Sequence, residues 1–260
     1  MKRVIFFAIM LAAVAALQPG CPKKSKEDKG KSANEQRPSP CPAGMVLIPA
    51  GDVTMGCAGG KNCFDDEKPQ KKVGVDAFCM DATEVTQRAY QSDMASNPAN
   101  FKNCGADCPV ELVTWDMAKA FCEKTKKRLP SEAEWERAAR GNSSTQFPWG
   151  ASFSEKNAWL AANAGGATHQ VKKTKPNAFG IYDMIGNAGE WTQDCYDPTW
   201  YAKMPARNPI NAAPDCKFRT VRGGSWNSPA DSTSVWDRSG FNIATPFIGF
   251  RCATGRRHAM

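Results

Sequence analysis

The sequence predicts an irregular, loop-rich α+β fold with a few short strands and about three helices. Three observations carry that expectation. Gly and Pro, 21 and 18 of the 260 residues, divide the chain into short elements joined by long loops. Only three stretches hold helix start signals, and only a few short segments read as strands. Eleven Cys, ten of them after residue 40, can staple such a fold with up to five disulfides. No internal repeat is visible, and residues 41–260 suffice for one domain with a full core.

In chain order, Lys2 and Arg3 precede an apolar run from Val4 to Leu17, the layout of a secretory signal over residues 1–20. The run is short for a membrane span. Gly20-Cys21 resembles the end of a bacterial lipoprotein signal, in which Cys21 becomes the lipidated first residue and ties the chain to a membrane. Gln18 and Pro19 depart from the usual residues there, so plain secretion stays open. Residues 21–40 lack aromatic and branched aliphatic side chains and read as a flexible tether. Of the 34 basic and 26 acidic residues, eight and three lie in the first 40, leaving 26 against 23 beyond them. That near balance makes no electrostatic case for nucleic acid.

In the domain at 41–260, Val46-Leu47-Ile48, Val73-Gly74-Val75 and Thr220-Val221-Arg222 are the clearest strands. One helix begins at Thr86, a second runs from about Asp116 to Lys126, and a third begins at Ser131. Ser131 and Glu134 have the spacing of a capping box. Lys126, Lys127 and Arg128 suit the negative end of the second helix, and Pro130 separates the two. Cys57 and Cys63 share one loop and Cys104 and Cys108 another, so each pair can close locally. A Cys-x3-Cys spacing also serves zinc, but export and the lack of nearby His favour oxidation.

The segment Asn177 to Thr192 sets Asp183 and Glu190 on either side of a Gly-containing turn between aromatic residues. Two carboxylates with exposed carbonyls between them are what a hard cation such as calcium takes. A structured turn without metal fits the same pattern.

This segment also resembles the signature loop of the formylglycine-generating enzyme family, the sulfatase-modifying factor domain. Further blocks carry the resemblance in the family's order: Met45 to Gly51, Thr54-Met55-Gly56, Asp81 to Thr86, Pro109-Val110, Val113-Thr114-Trp115, Lys127 to Glu136, Arg222 to Asn227, and Ile248 to Cys252. Together they span about residues 43 to 253. The resemblance implies a compact, irregular relative of the C-type lectin fold. It implies a Cys122–Cys252 disulfide, after which Cys195 with Cys216 and Cys41 with Cys79 remain. It also implies a structural calcium held by the side chains of Asp183 and Glu190 and the carbonyls of Gly186 and Ala188. Gly189 stands where a Trp is usual.

The family's enzymes oxidise a substrate cysteine with two Cys that bind copper(I), placed just after the Gly-Gly-Ser block. Here Ser228 and Thr233 occupy those two positions. Hydroxyls are poor ligands for copper(I), so neither copper nor formylglycine generation is expected. No catalytic residue is assigned. His169 reads as a hydrogen-bonded structural residue, and there is no P-loop or dinucleotide fingerprint. The expectation is a lipid-anchored, non-catalytic binding or accessory protein of the bacterial cell envelope, with an unknown protein or glycan ligand. The alternative is an oxidase of sulfatase cysteines, or another oxidoreductase with an altered site. Between 226 and 247, Trp226, Asn227, Asp231, Trp236, Arg238, Phe241 and Asn242 mix aromatic, amide and charged groups as recognition surfaces do. Packing of a long loop is the other account of the same residues.

Overall fold

The computed structural model describes residues 41–57, 59 and 63–255. The expected signal peptide at 1–20, the tether at 21–40 and the Cys21 anchor lie outside them. Among the described residues, no helix is long and apolar enough to cross a membrane. The fold is the expected loop-rich α+β arrangement of short strands and few helices.

Strands β1 (Met45–Ile48) and β4 (Phe78–Asp81) pair antiparallel, and β9 (Ala253–Gly255) adds to the far edge of β4. The first and last described elements therefore close one sheet. Strands β2 (Gly51–Met55) and β3 (Lys71–Val75) form a separate antiparallel pair. Its alternation is regular: Val53, Met55, Val73 and Val75 point into the core, while Asp52, Thr54 and Lys72 face water. The third sheet has the order β7-β6-β5-β8, from β5 (Gly189–Cys195), β6 (Arg219–Arg222), β7 (Arg238–Phe241) and β8 (Ile248–Gly249). The β5–β8 pairing is parallel and the others in this sheet are antiparallel.

Each of the first three helices starts at a hydroxyl cap. Thr86 accepts from Ala89 N–H to open α1 (Gln87–Met94), and Thr114 accepts from Met117 N–H to open α2 (Trp115–Lys124). Ser131 opens α3 (Glu132–Arg140) with both halves of the capping box: Glu134 N–H donates to Ser131 Oγ at 3.1 Å, and Ser131 N–H donates to Glu134 Oε2 at 2.8 Å. A four-residue helix, α4 (Trp200–Lys203), has no side-chain cap.

Helix α3 is the centre of the fold. Trp135, Ala133, Ala138 and Ala139 are buried with the β2–β3 pair and with Met184 and Ile185. Gly223 follows β6 at φ +93° against the Trp135 ring; a Cβ there would lie 2.9 Å from both that ring and the Met184 carbonyl. A second apolar cluster joins α1 and α2 to the third sheet through Tyr90, Phe121, Trp191 and Phe250. Tyr90 stacks on Phe121 at 5.5 Å, and Phe250 meets both edge-on.

All ten described Cys are disulfide-bonded: Cys41–Cys79, Cys57–Cys63, Cys104–Cys108, Cys122–Cys252 and Cys195–Cys216. The Cys122–Cys252 bond ties α2 to the end of the chain across 130 positions, the longest loop of the five and so the largest constraint on the unfolded chain. Five disulfides belong to an oxidising, extracytoplasmic compartment.

Candidate functional site

Three groups of residues lie around the β5–β6–β7 sheet. The first is a small pocket. After β6, Gly223 and Gly224 turn the chain so that Ser228 and Thr233 converge on one backbone position. A Cβ on Gly224 would meet Thr233 Cγ2 at 2.8 Å and Ser228 Oγ at 3.3 Å. Ser228 Oγ accepts from Ser225 N–H at 3.0 Å, and Thr233 Oγ1 donates to the Pro229 carbonyl at 2.7 Å. The pocket beside them encloses about 100 Å³, with Gly189, Val221, Asp237, Ser239, Phe241 and Phe247 on its wall. Burial pushes the Asp237 carboxyl up to about 6. Two aromatic rings, Phe241 and Phe247, line this pocket, and Trp226 lies next to its wall residues Ser225 and Asn227 in the chain. Phe241 and Phe247 meet edge-on at 5.7 Å, and Trp226 meets Phe101 at 5.3 Å while donating through Nε1 to the Pro246 carbonyl.

The seven residues expected to form a recognition surface separate by burial. Asn227, Asp231 and Asn242 are exposed. Trp226, Trp236 and Phe241 are half-buried, and Trp236 lies under the Arg140 guanidinium. Arg238 is a correction: it is 4% exposed and belongs to the interior. Its side chain points away from the surface because Glu132 on α3 meets it with both oxygens, at 2.7 and 3.0 Å. The Tyr196 and Tyr201 rings cover the guanidinium at 4.9 and 4.8 Å.

That pair is one end of the second group, a buried ladder of alternating charge. Arg222 reaches Glu132 at 3.5 Å and Glu136 at 2.5 Å. Arg140 meets Glu136 at 2.7 Å. Tyr201 donates to Glu132 Oε1 at 3.0 Å. Burial works to raise the Glu132 carboxyl, but Arg238 and Arg222 outweigh it and hold the group below the usual carboxylate range. Beside it, Asp194 is raised to about 7, by burial first and then by Glu132. This ladder was not anticipated from the sequence. Its trace is Glu132, Glu136 and Arg140 at i, i+4 and i+8 among the apolar residues of α3.

The third group is the loop from Asp183 to Glu190. Asp183 and Asn187 take left-handed backbone at φ +56° and +57°. Gly186, at φ +78°, lies so close to the Trp159 carbonyl that a Cβ would fall 2.2 Å from it. The Asp183 carboxylate accepts from Thr174 Oγ1 at 2.7 Å and Lys172 N–H at 2.9 Å. Glu190 accepts from Arg251 at 2.6–2.9 Å and from Trp135 Nε1 at 2.7 Å. Asn187 donates to Glu84 Oε1 at 2.9 Å and receives His169 N–H at 2.8 Å. His169 itself stacks on Trp159 at 3.8 Å, with Nε2 2.8 Å from the Ala164 carbonyl, which is a structural role.

Charge in this loop region is uneven. Glu84, Asp183 and Glu190 are buried around one guanidinium, that of Arg251. Glu84 Oε2 is buried with no hydrogen-bond partner, although Arg251 lies 4.0 Å away. Burial, then Asp183, pushes the Glu84 carboxyl well above its ordinary value, and burial raises Asp183. Asp183 and the open Glu84 Oε2 are oxygen donors of the kind a hard cation takes, whereas both oxygens of Glu190 are already held by Arg251 and the three carboxylates do not form one tight group. Soft-metal sites are different. Among the described residues the one tight group of three metal-ligating side chains is Cys57, Cys63 and Glu67, and its two sulfurs are bonded to each other.

Comparison with known proteins identifies the family of the chain. Residues 30–256 match the family model described as the sulfatase-modifying factor enzyme 1-like domain. The chain is 31% identical over 293 aligned residues to a formylglycine-generating enzyme of Bos taurus, covering 84% of this chain and 76% of that protein. It is 35% identical over 166 residues to the inactive C-alpha-formylglycine-generating enzyme 2 of the same species, covering 56% of this chain and half of that protein's length (50%). Among solved structures, PvdO from Pseudomonas aeruginosa superposes with a TM-score of 0.72 at 28% identity, over 81% of this chain and 94% of that one.

Proposed function

Because the chain belongs to the sulfatase-modifying factor enzyme 1-like domain family, we propose that it is an exported, lipid-anchored domain that binds a partner and does not oxidise cysteine. One observation carries this. Ser228 and Thr233, which by the resemblance stand where the family's oxidases hold copper(I), lie side by side at Gly224, and every described Cys is in a disulfide. Hydroxyls at that position hydrogen-bond; they do not bind copper(I) usefully. The similar bovine protein named as inactive is consistent with members of this family that act without that chemistry.

The binding surface is the small pocket, lined by half-buried Phe241 and exposed Asn227, together with the neighbouring half-buried Trp226 and exposed Asp231 and Asn242 as further contacts. Cys21 supplies the membrane anchor, and a protein or glycan of the cell envelope is the ligand. Calcium at this loop, held by Asp183 and the carbonyls of Gly186 and Ala188, contributes charge that keeps it folded; Glu190, expected in the same set, is instead paired with Arg251.

The test is direct. The purified chain is incubated with copper, reductant, oxygen and a peptide bearing a Cys-x-Pro-x-Arg motif, and the peptide mass is read. The expected result is no aldehyde and no stoichiometric copper(I) binding. Aldehyde formation, or tight copper(I) uptake at one per chain, would overturn the non-catalytic proposal.

A further inference from the structure

The loop between β2 and β3 holds a chemical group that the pocket and the calcium loop do not use. Cys57 and Cys63 are disulfide-bonded across six positions. Cys57 is 3% exposed, whereas Cys63 is half-buried and precedes Phe64, a residue 51% exposed. Behind the bond, Glu67 places Oε2 3.4 Å from Cys57 Sγ and accepts Phe64 N–H at 2.8 Å. Glu67 is itself 1% exposed. Burial pushes its carboxyl up to about 8; Asp237 and Asp66 add to that, while the Phe64 N–H and Arg222 oppose it. At neutral pH the group therefore holds a proton beside the less accessible sulfur.

We propose that Cys57–Cys63 is a thiol–disulfide exchange site that oxidises dithiols, with Glu67 as the general acid for Cys57. A substrate thiolate attacks Sγ of Cys63, the sulfur it can reach. The S–S bond breaks, its electron pair moves to Cys57 Sγ, and that sulfur takes the Glu67 proton. The products of this step are a mixed disulfide at Cys63, a Cys57 thiol and a Glu67 carboxylate. The substrate's second thiolate then attacks its own sulfur in the mixed disulfide and releases Cys63 as a thiolate, which water protonates. Two electrons pass from the dithiol to the Cys pair, and water returns the proton to Glu67.

The direction of cleavage follows from burial. A thiolate at the Cys57 position is poorly solvated, so expulsion of that sulfur needs a proton at hand. Cleavage opens only a short local loop, and the other four disulfides continue to tie the fold. Cys104–Cys108 is the internal control. It closes a similarly short loop across four positions, but Cys104 Sγ faces the Thr168 carbonyl at 3.0 Å, which has no proton to give.

The experiment reduces the full chain with dithiothreitol, a dithiol, quenches it by alkylation at timed intervals, and maps each Cys by peptide mass. The expected result is that Cys57–Cys63 opens at least about tenfold faster than Cys104–Cys108, and that Glu67→Gln removes most of that advantage while leaving the Cys104–Cys108 rate unchanged. Gln keeps an acceptor for Phe64 N–H but has no acidic proton. Equal opening rates for the two bonds would overturn the proposal, and so would an unaltered Cys57–Cys63 rate in Glu67→Gln. If that variant does not fold, the comparison of the two bonds within the unaltered chain decides alone.

Discussion

Arg238 keeps its charge at 4% exposure because Glu132 accepts from its Nε and Nη2, the Asp66 and Asp197 carbonyls accept from Nη1, and two Tyr rings cover it. Removing one partner of such a pair leaves the other charge buried and uncompensated. Arg238→Met is therefore expected to cost about 3–5 kcal/mol in urea unfolding. Asn242→Ala, at an exposed position, is expected to stay within about 0.5 kcal/mol of the unaltered chain. The sequence could not separate these two residues. Both sit in one polar-aromatic segment, and the partner that internalises Arg238 lies 106 positions away. The acids of the interior make a second prediction. Glu67, Asp194 and Asp237 have folded values raised to about 8, 7 and 6, so the folded chain keeps protons that the unfolded chain releases. Stability should then fall as pH rises from about 5 to 8. Glu132 is shifted downward, and its contribution is lost in acid. Urea midpoints across this range should decline with pH, and Glu67→Gln should flatten the upper part. A midpoint that rises towards pH 8 would contradict these assignments.

Helix α3 concentrates both the legible and the hidden parts of the fold in nine residues. Its start is written in Ser131 and Glu134, whose two reciprocal bonds satisfy otherwise unpaired N–H groups. Ser131→Ala should cost about 1 kcal/mol, seen as a lower melting temperature with unchanged far-ultraviolet circular dichroism. An unchanged melting temperature would mean that the Arg128–Glu134 pair, at 2.6 Å, fixes this helix end alone. The other helix starts were legible for the same reason, with a shift of one residue at α2, where Thr114 and not a later residue is the cap. Elements without local signals were not legible. Strand β8 has two residues, β7 reads Arg-Ser-Gly-Phe without alternation, and α4 lacks a cap bond. Their pairing is set by distant partners, as is that of Glu132 and Glu136, whose buried charges Arg222 on β6 and Arg238 on β7 meet; only the Arg140–Glu136 pair is local to the helix.

At the scale of the molecule, two kinds of constraint act on the segment between β8 of the third sheet and β9 of the first. The Cys122–Cys252 bond holds the end of the chain to α2, and Arg251, next to it, carries Glu190 and faces Glu84. Because one guanidinium serves three buried carboxylates, the loop from Asp183 to Glu190 is short of positive charge as it stands. A calcium ion at that loop would lower the cost of burying Asp183 and Glu84 together, and its effect should appear as linkage. At a hundredfold excess over its dissociation constant, calcium should add about 2.7 kcal/mol to unfolding free energy, and a chelator should remove it. Asp183→Asn isolates the charge, since Asn tolerates the left-handed backbone at φ +56° while carrying no negative charge. The variant should melt at nearly the same temperature with and without calcium, and should bind it more weakly by calorimetry. The disulfides remain closed throughout, so any change on chelation reports the loop and not the staples. If the unaltered chain neither binds calcium nor shifts its melting temperature, the surplus charge is met by protons, chiefly on Glu84, and the loop is a structural turn whose acidity persists without a metal.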